Sequence, residues 1–150
     1  MVMHCIFTIV NLKVYHYAPN SDSILYLEMA KQYSHLNFFD PFTNCVGRPL
    51  YPIFLAIIGN ILSYNYYVIC LAQSILFCIA ALSLTKELEI LLQKNLTAMV
   101  LILFLVPEIQ ASNGTILTEA LAFSLVLFIF SSALKILSSY IFNSSVKLAS

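Results

Sequence analysis

Two carboxylates and one guanidinium stand where an ionised side chain can serve either structure or chemistry. Asp22 lies in the turn Ala18-Pro19-Asn20-Ser21-Asp22-Ser23. Arg48 stands directly before a long apolar run, and Glu119 heads the last apolar run of the chain. A carboxylate at the edge of an apolar slab can act as a general base toward an acceptor hydroxyl. A guanidinium fork matches a pair of phosphate oxygens and, at a bilayer edge, can hold a lipid-linked phosphate. Each residue also has an ordinary role. Asp in a Ser-Asp-Ser turn is a good helix N-cap. Arg beside an apolar helix snorkels to headgroups. Glu at a helix N-terminus is favoured by the helix dipole, although an ionisable residue at membrane depth points to function. Tyr26, four residues after Asp22, shares its helical face, and aromatic packing is its plainer role.

The elements that must position these groups are apolar. The chain of 150 residues is 61% hydrophobic and 9% charged, with a mean hydropathy of +0.90. Soluble domains carry about 25% charged residues, so the solvent expected for this surface is lipid and the expected location is integral to a membrane, the cell or inner membrane in a bacterium. Net charge is zero, which removes the argument for nucleic acid. Trp is absent, and Tyr15, Tyr17, Tyr64, Tyr66, Tyr67 and Tyr140 fall where an interfacial aromatic belt is expected. Cys5, Cys45, Cys70 and Cys78 show neither CxxC nor Cys/His ligand spacing. No disulfide or metal site is therefore expected, and Cys70 and Cys78 read as small inert hydrophobes.

Residues 1–12 form an apolar stub, too short as a helix to cross a hydrocarbon core of about 30 Å. Residues 18–48 form an outer loop. Within it Leu25, Met29, Tyr33 and Leu36 recur at helical spacing, which predicts a surface helix with that stripe toward the membrane. From Pro49 to Thr85 no residue is charged. As one helix this run would measure about 55 Å, so it must break, most naturally at Ser63-Tyr-Asn-Tyr-Tyr67. Two segments follow, Pro49–Leu62 and Tyr66–Leu84, the first short enough to be re-entrant. Lys86–Asn95 reads as a charged connector. Leu96–Val106 and Ala120–Phe142 are the remaining apolar segments, and the tail reads as polar and frayed. The expected fold class is all-α, a polytopic membrane helix bundle. About four apolar helices lie in residues 49–142, with the stub and the surface helix before them in a single module. If every segment crosses once, Asp22 and Glu119 fall on opposite sides; if Pro49–Leu62 is re-entrant, they share one.

The pattern Asp22-Ser23-x-x-Tyr26-x-x-x-Ala30, followed by Arg48-Pro49-x-Tyr51-Pro52-x-Phe54-Leu55-Ala56, resembles the first outer loop and second membrane segment of polytopic GT-C glycosyltransferases. The likeness is to the dolichyl-phosphate-mannose protein mannosyltransferase and aminoarabinose-transferase type. Ile116-Leu-Thr-Glu119-Ala-Leu resembles their second acidic motif. The resemblance runs from about Ser21 to Leu137. It implies transfer of a sugar from a polyprenyl-phosphate carrier to an acceptor at the outer membrane face, usually with inversion. Asp22 would be the base, Arg48 a contact to the carrier phosphate, and Glu119 and Tyr26 further substrate contacts in the same cleft. A divalent metal is the cofactor such enzymes raise, but Gly47 stands where the aminoarabinose-transferase type has an acidic residue. These enzymes are also much longer. The expectation is therefore a fragment or one subunit of a split enzyme, too short for activity alone, with the bilayer, a polyprenyl-phosphate-linked sugar and further membrane helices as partners. The alternative is a non-enzymatic helical membrane protein, an assembly subunit or a transporter piece. Convergence of Asp22, Arg48 and Glu119 in one cleft would separate the two.

Overall fold

The structure, a computed structural model, describes residues 5–6, 8–10, 13, 21–35, 49–62, 64–98, 100, 102, 106, 116 and 118–149, with backbone alone at 21, 34–35 and 141–149. Four helices organise it: α1 (Ser21–His35), α2 (Leu50–Ile61), α3 (Tyr66–Leu92) and α4 (Thr118–Ala149). The described residues at 5–13 and 97–102 are also helical, and no strand occurs among the described residues. The chain is all-helical, as expected.

Pro49 and Pro52 fall in the first turn of α2, where a missing N–H costs no intrahelical bond. Its 12 residues span about 18 Å, too short for a straight crossing. The break after it is made at Asn65, whose Oδ1 accepts from the Tyr67 amide at 2.9 Å and caps α3. Tyr64 folds back over this turn. Its ring packs directly on Gly59, and its hydroxyl lies 3.3 Å from both the Ala30 carbonyl and Asn60 Oδ1.

α3 does not stop at Leu84. It runs 27 residues to Leu92, so the expected charged connector is mostly helix. Lys, Glu and Leu are strong helix formers, and neither Gly nor Pro interrupts them. The helix ends on Gln93, which adopts a left-handed φ of 51°. Glu89 Oε1 then accepts from the Leu96 amide at 2.8 Å, tying the end of α3 to the next helical stretch. α4 likewise continues to Ala149 instead of fraying after Phe142.

Among the described residues two helices are long and apolar enough to cross a membrane: α3 and the Thr118–Tyr140 part of α4. Only 22% of the α4 span is buried in the chain, whereas a helix at the core of a soluble protein is mostly covered. Ile129, Phe130, Ile136 and Tyr140 are each more than half exposed. In the Leu96–Val106 segment, residues 99, 101 and 103–105 lie outside the described residues.

α3 and α4 pack along one another and run in the same direction. Ile116 and Leu121 share a cluster with Ile69 and Cys70, and Leu127 packs further down against the cluster of Phe77, Cys78 and Ala81. The chain between Leu92 and Thr118 must therefore travel back up the bundle, and Val100 packs within that lower cluster. The starts of α3 and α4 thus define one end of the molecule, here called the head.

α1 lies against α2 at the head. Its inward face is Ser23, Tyr26, Leu27, Ala30 and Tyr33. Of the stripe expected to face the membrane, Leu25 stays 48% exposed and Leu36 lies outside the described residues, whereas Tyr33 packs inward. Ala30, fully buried, is the reason. A small side chain there lets α1 approach α2 closely, and the flanking tyrosines close around the contact.

Candidate functional site

Three helix starts meet at the head. Ser23, in the first turn of α1, donates its hydroxyl to the Ile116 carbonyl at 3.1 Å. Ile116 immediately precedes the first turn of α4. This one bond brings the turn that carries Asp22 to the turn that carries Glu119. The start of α2 joins them through Tyr51, whose ring meets Tyr26 edge-on at 5.2 Å and 86° and Phe54 at 6.2 Å and 21°.

Asp22 is exposed and lies in the first turn of α1, one residue inside the helix and not at an N-cap position. Its charge is favoured there by the unpaired amides of the helix end. Glu119 is exposed in the first turn of α4 and accepts from the Thr118 hydroxyl at 3.3 Å. Its carboxylate lies within electrostatic range of the Tyr51 phenol. Tyr26 is half-buried, and its ring is engaged on Tyr51, the packing role that its spacing predicts. Arg48 lies outside the described residues. Its neighbour Pro49 does not, and Pro49 caps α2 with no side-chain hydrogen bond.

Between the starts of α2 and α4 is an open pocket of about 350 Å³, lined by Pro49, Leu50, Tyr51, Thr118, Leu121 and Leu125 among others. Its walls are apolar and Thr118 supplies the polar edge. No family of proteins, no curated protein and no solved structure matches the chain, so the chemistry of this pocket rests on its own residues. An apolar slot with the Thr118 hydroxyl at its edge suits an amphiphile whose polar group stays at the head.

Two residues at the site carried no expected role. Tyr51 is 2% exposed, and its hydroxyl makes no hydrogen bond among the described residues. The Gln73 side chain, 1% exposed, approaches that phenol without closing a hydrogen bond to it. Tyr66 and Cys70 complete the polar surroundings of the phenol. Tyr51 was visible within the Arg-Pro-x-Tyr-Pro pattern. Gln73 was visible as the one amide between Tyr66 and Thr85, because a polar side chain in an apolar helix normally faces protein instead of lipid. No group of three or more metal-ligating side chains occurs among the described residues.

Proposed function

We propose that the chain is an integral membrane module of GT-C type that receives a polyprenyl-phosphate-linked sugar at its head. The observation that carries the reading is the Ser23–Ile116 hydrogen bond, which brings the turns bearing Asp22 and Glu119 to one end of the bundle. α2 is too short to cross straight through. With α2 re-entrant, the two carboxylates share a face, as a common cleft requires.

In this reading four apolar segments lie in the membrane: α2 re-entrant, α3 and α4 as crossings, and the 96–106 stretch as the return. The carrier phosphate sits at the start of α2, where Arg48 precedes a cap without a side-chain bond. With prolines at 49 and 52, the amides left unpaired at this end are those of Leu50 and Tyr51, and they favour an anion. The prenyl chain enters the apolar slot along Leu121 and Leu125. Asp22, ionised, accepts the proton of the acceptor hydroxyl as its oxygen attacks the anomeric carbon. The lipid phosphate departs with the bonding pair, its charge held by Arg48 and the helix end. Glu119 and Tyr26 border the sugar. No metal is required by this division of work.

The test is photolabelling of the purified chain in lipid nanodiscs with a diazirine-bearing polyprenyl phosphate. Labelling at Leu121 or Leu125, competed by unlabelled polyprenyl phosphate, is the expected result. Arg48→Ala should weaken it by about tenfold or more, as expected when a charged hydrogen bond worth about 1.5–3 kcal/mol is lost. Asp22→Asn should leave it unchanged. Label scattered over lipid-facing positions and insensitive to Arg48→Ala would leave the non-enzymatic membrane subunit as the better account.

A further inference from the structure

Beyond the head, the structure brings together two cysteines that are 73 positions apart in sequence number. The helical stretch at residues 5–13 packs on α3 through small side chains. Thr8 Oγ1 lies 3.0 Å from Ser74 Oγ, and both residues are fully buried. Hydroxyl oxygens this close require the two backbones to approach as tightly as small residues permit. Cys5 is three residues before Thr8, and Cys78 is four after Ser74. The stretch runs antiparallel to α3, so the next level of contact falls on this pair. The Cys5 thiol is near enough to Cys78 to interact with it electrostatically. Both are free thiols, Cys5 partly exposed and Cys78 buried.

We infer that Cys5 and Cys78 form an oxidisable pair, a modification site that can fasten the N-terminal stretch covalently to α3. The unequal burial sets the order of events. A thiolate is disfavoured in apolar surroundings, so the partly exposed Cys5 meets the oxidant first. With a low-molecular-weight disulfide as oxidant, the Cys5 thiolate attacks one sulfur and the other leaves as a thiolate that takes up the proton Cys5 lost. Cys78, as thiolate, then attacks the Cys5 sulfur of the mixed disulfide. Its proton goes to the second departing thiolate. Two protein thiols are oxidised by two electrons, and one small disulfide is reduced to two thiols.

The experiment uses the full chain in membranes, with Cys45→Ser and Cys70→Ser, treated with membrane-permeant dithiodipyridine. The expected product is an intramolecular Cys5–Cys78 disulfide, seen by peptide mass spectrometry as loss of two hydrogens, with two thiopyridones released per chain. Adding Cys78→Ser should stop the reaction at a mixed disulfide on Cys5 with one thiopyridone released. A lasting mixed disulfide on Cys5 while Cys78 is present would overturn the pairing, and so would cross-linking between chains or no reaction at Cys5. A second pair, Thr8→Cys with Ser74→Cys in a chain otherwise free of cysteine, checks the packing independently. It should cross-link as readily, and its failure would remove the antiparallel contact on which the inference stands.

Discussion

The seam between α3 and α4 is built from small side chains, whereas the junction of α1, α2 and the α2–α3 turn is built from tyrosines. Along α3 the buried positions include Cys70, Ser74, Cys78, Ala81 and Thr85, and along α4 Ala120, Ser124 and Ser131. These recur at steps of three, four or seven residues, which places them on one face of each helix. Two of their hydroxyls are met at home: Thr85 Oγ1 donates to the Ala81 carbonyl at 2.8 Å, and Ser124 Oγ donates to the Ala120 carbonyl at 2.9 Å. Ser74 is the exception, its hydroxyl meeting Thr8 of the N-terminal stretch, and at the head hydroxyls likewise reach across elements, from Ser23 to Ile116 and from Tyr64 to Ala30.

The difference follows from what drives association in lipid. Apolar side chains gain nothing by leaving acyl chains for one another, so long helices associate by close van der Waals approach. Small residues permit that approach. Short elements such as α2 cannot gather enough contact this way. They are fixed by aromatic rings and by hydrogen bonds whose donors would otherwise be buried and unpaired.

Three substitutions test this contrast. The largest effect is expected from Phe77→Ala. Phe77 is 2% exposed and fills the lower cluster between α3, Leu127 and Val100. Truncation should cost about 3–5 kcal/mol, measured by denaturant titration of the reconstituted chain. Loss under about 1 kcal/mol would mean that the seam does not depend on this packing. An intermediate effect is expected from Gly59→Ala. The added methyl would occupy the space of the Tyr64 ring and displace its hydroxyl from Ala30 and Asn60. A loss of about 1–3 kcal/mol is expected, together with faster proteolysis between α1 and α2. A neutral result would show that the turn is not held by Tyr64. The smallest effect is expected from Ser124→Ala, under about 0.5 kcal/mol, because the hydroxyl bonds its own helix and the residue keeps its size. A cost above about 1.5 kcal/mol would reveal a polar contact across the seam and erase the contrast with the head.

Much of the architecture is legible in single residues. The charge-free run from Pro49 demands a break, and Asn65 supplies it as a cap. Pro49 and Pro52 mark a helix start. The alternation of apolar stretches forecasts helices throughout, because in lipid the backbone must satisfy itself. What local reading misses follows from competing signals. Lys86, Glu87 and Glu89 suggest an exit from the membrane, yet their helix propensity carries α3 on to Leu92. The stripe Leu25-Met29-Tyr33-Leu36 has the right period, but one of its members, Tyr33, turns inward beside Ala30. A helix pattern gives the period of contact and leaves its direction to the partner.

For the site, residue type alone establishes that Asp22, Arg48 and Glu119 are out of place among so few charges. Composition alone establishes that lipid is the expected solvent. Whether Asp22 and Glu119 share an end is different. It depends on the parity of crossings, and a short apolar segment such as α2 reads equally well as a crossing or a re-entrant turn. Only the packed chain decides it, through a serine hydroxyl and a carbonyl 93 positions apart. The nearness of Cys5 to Cys78 and the burial of Tyr51 beside Gln73 are decided the same way. Each depends on which small residues let two helices approach, and that is a property of the pair of helices, absent from either one alone.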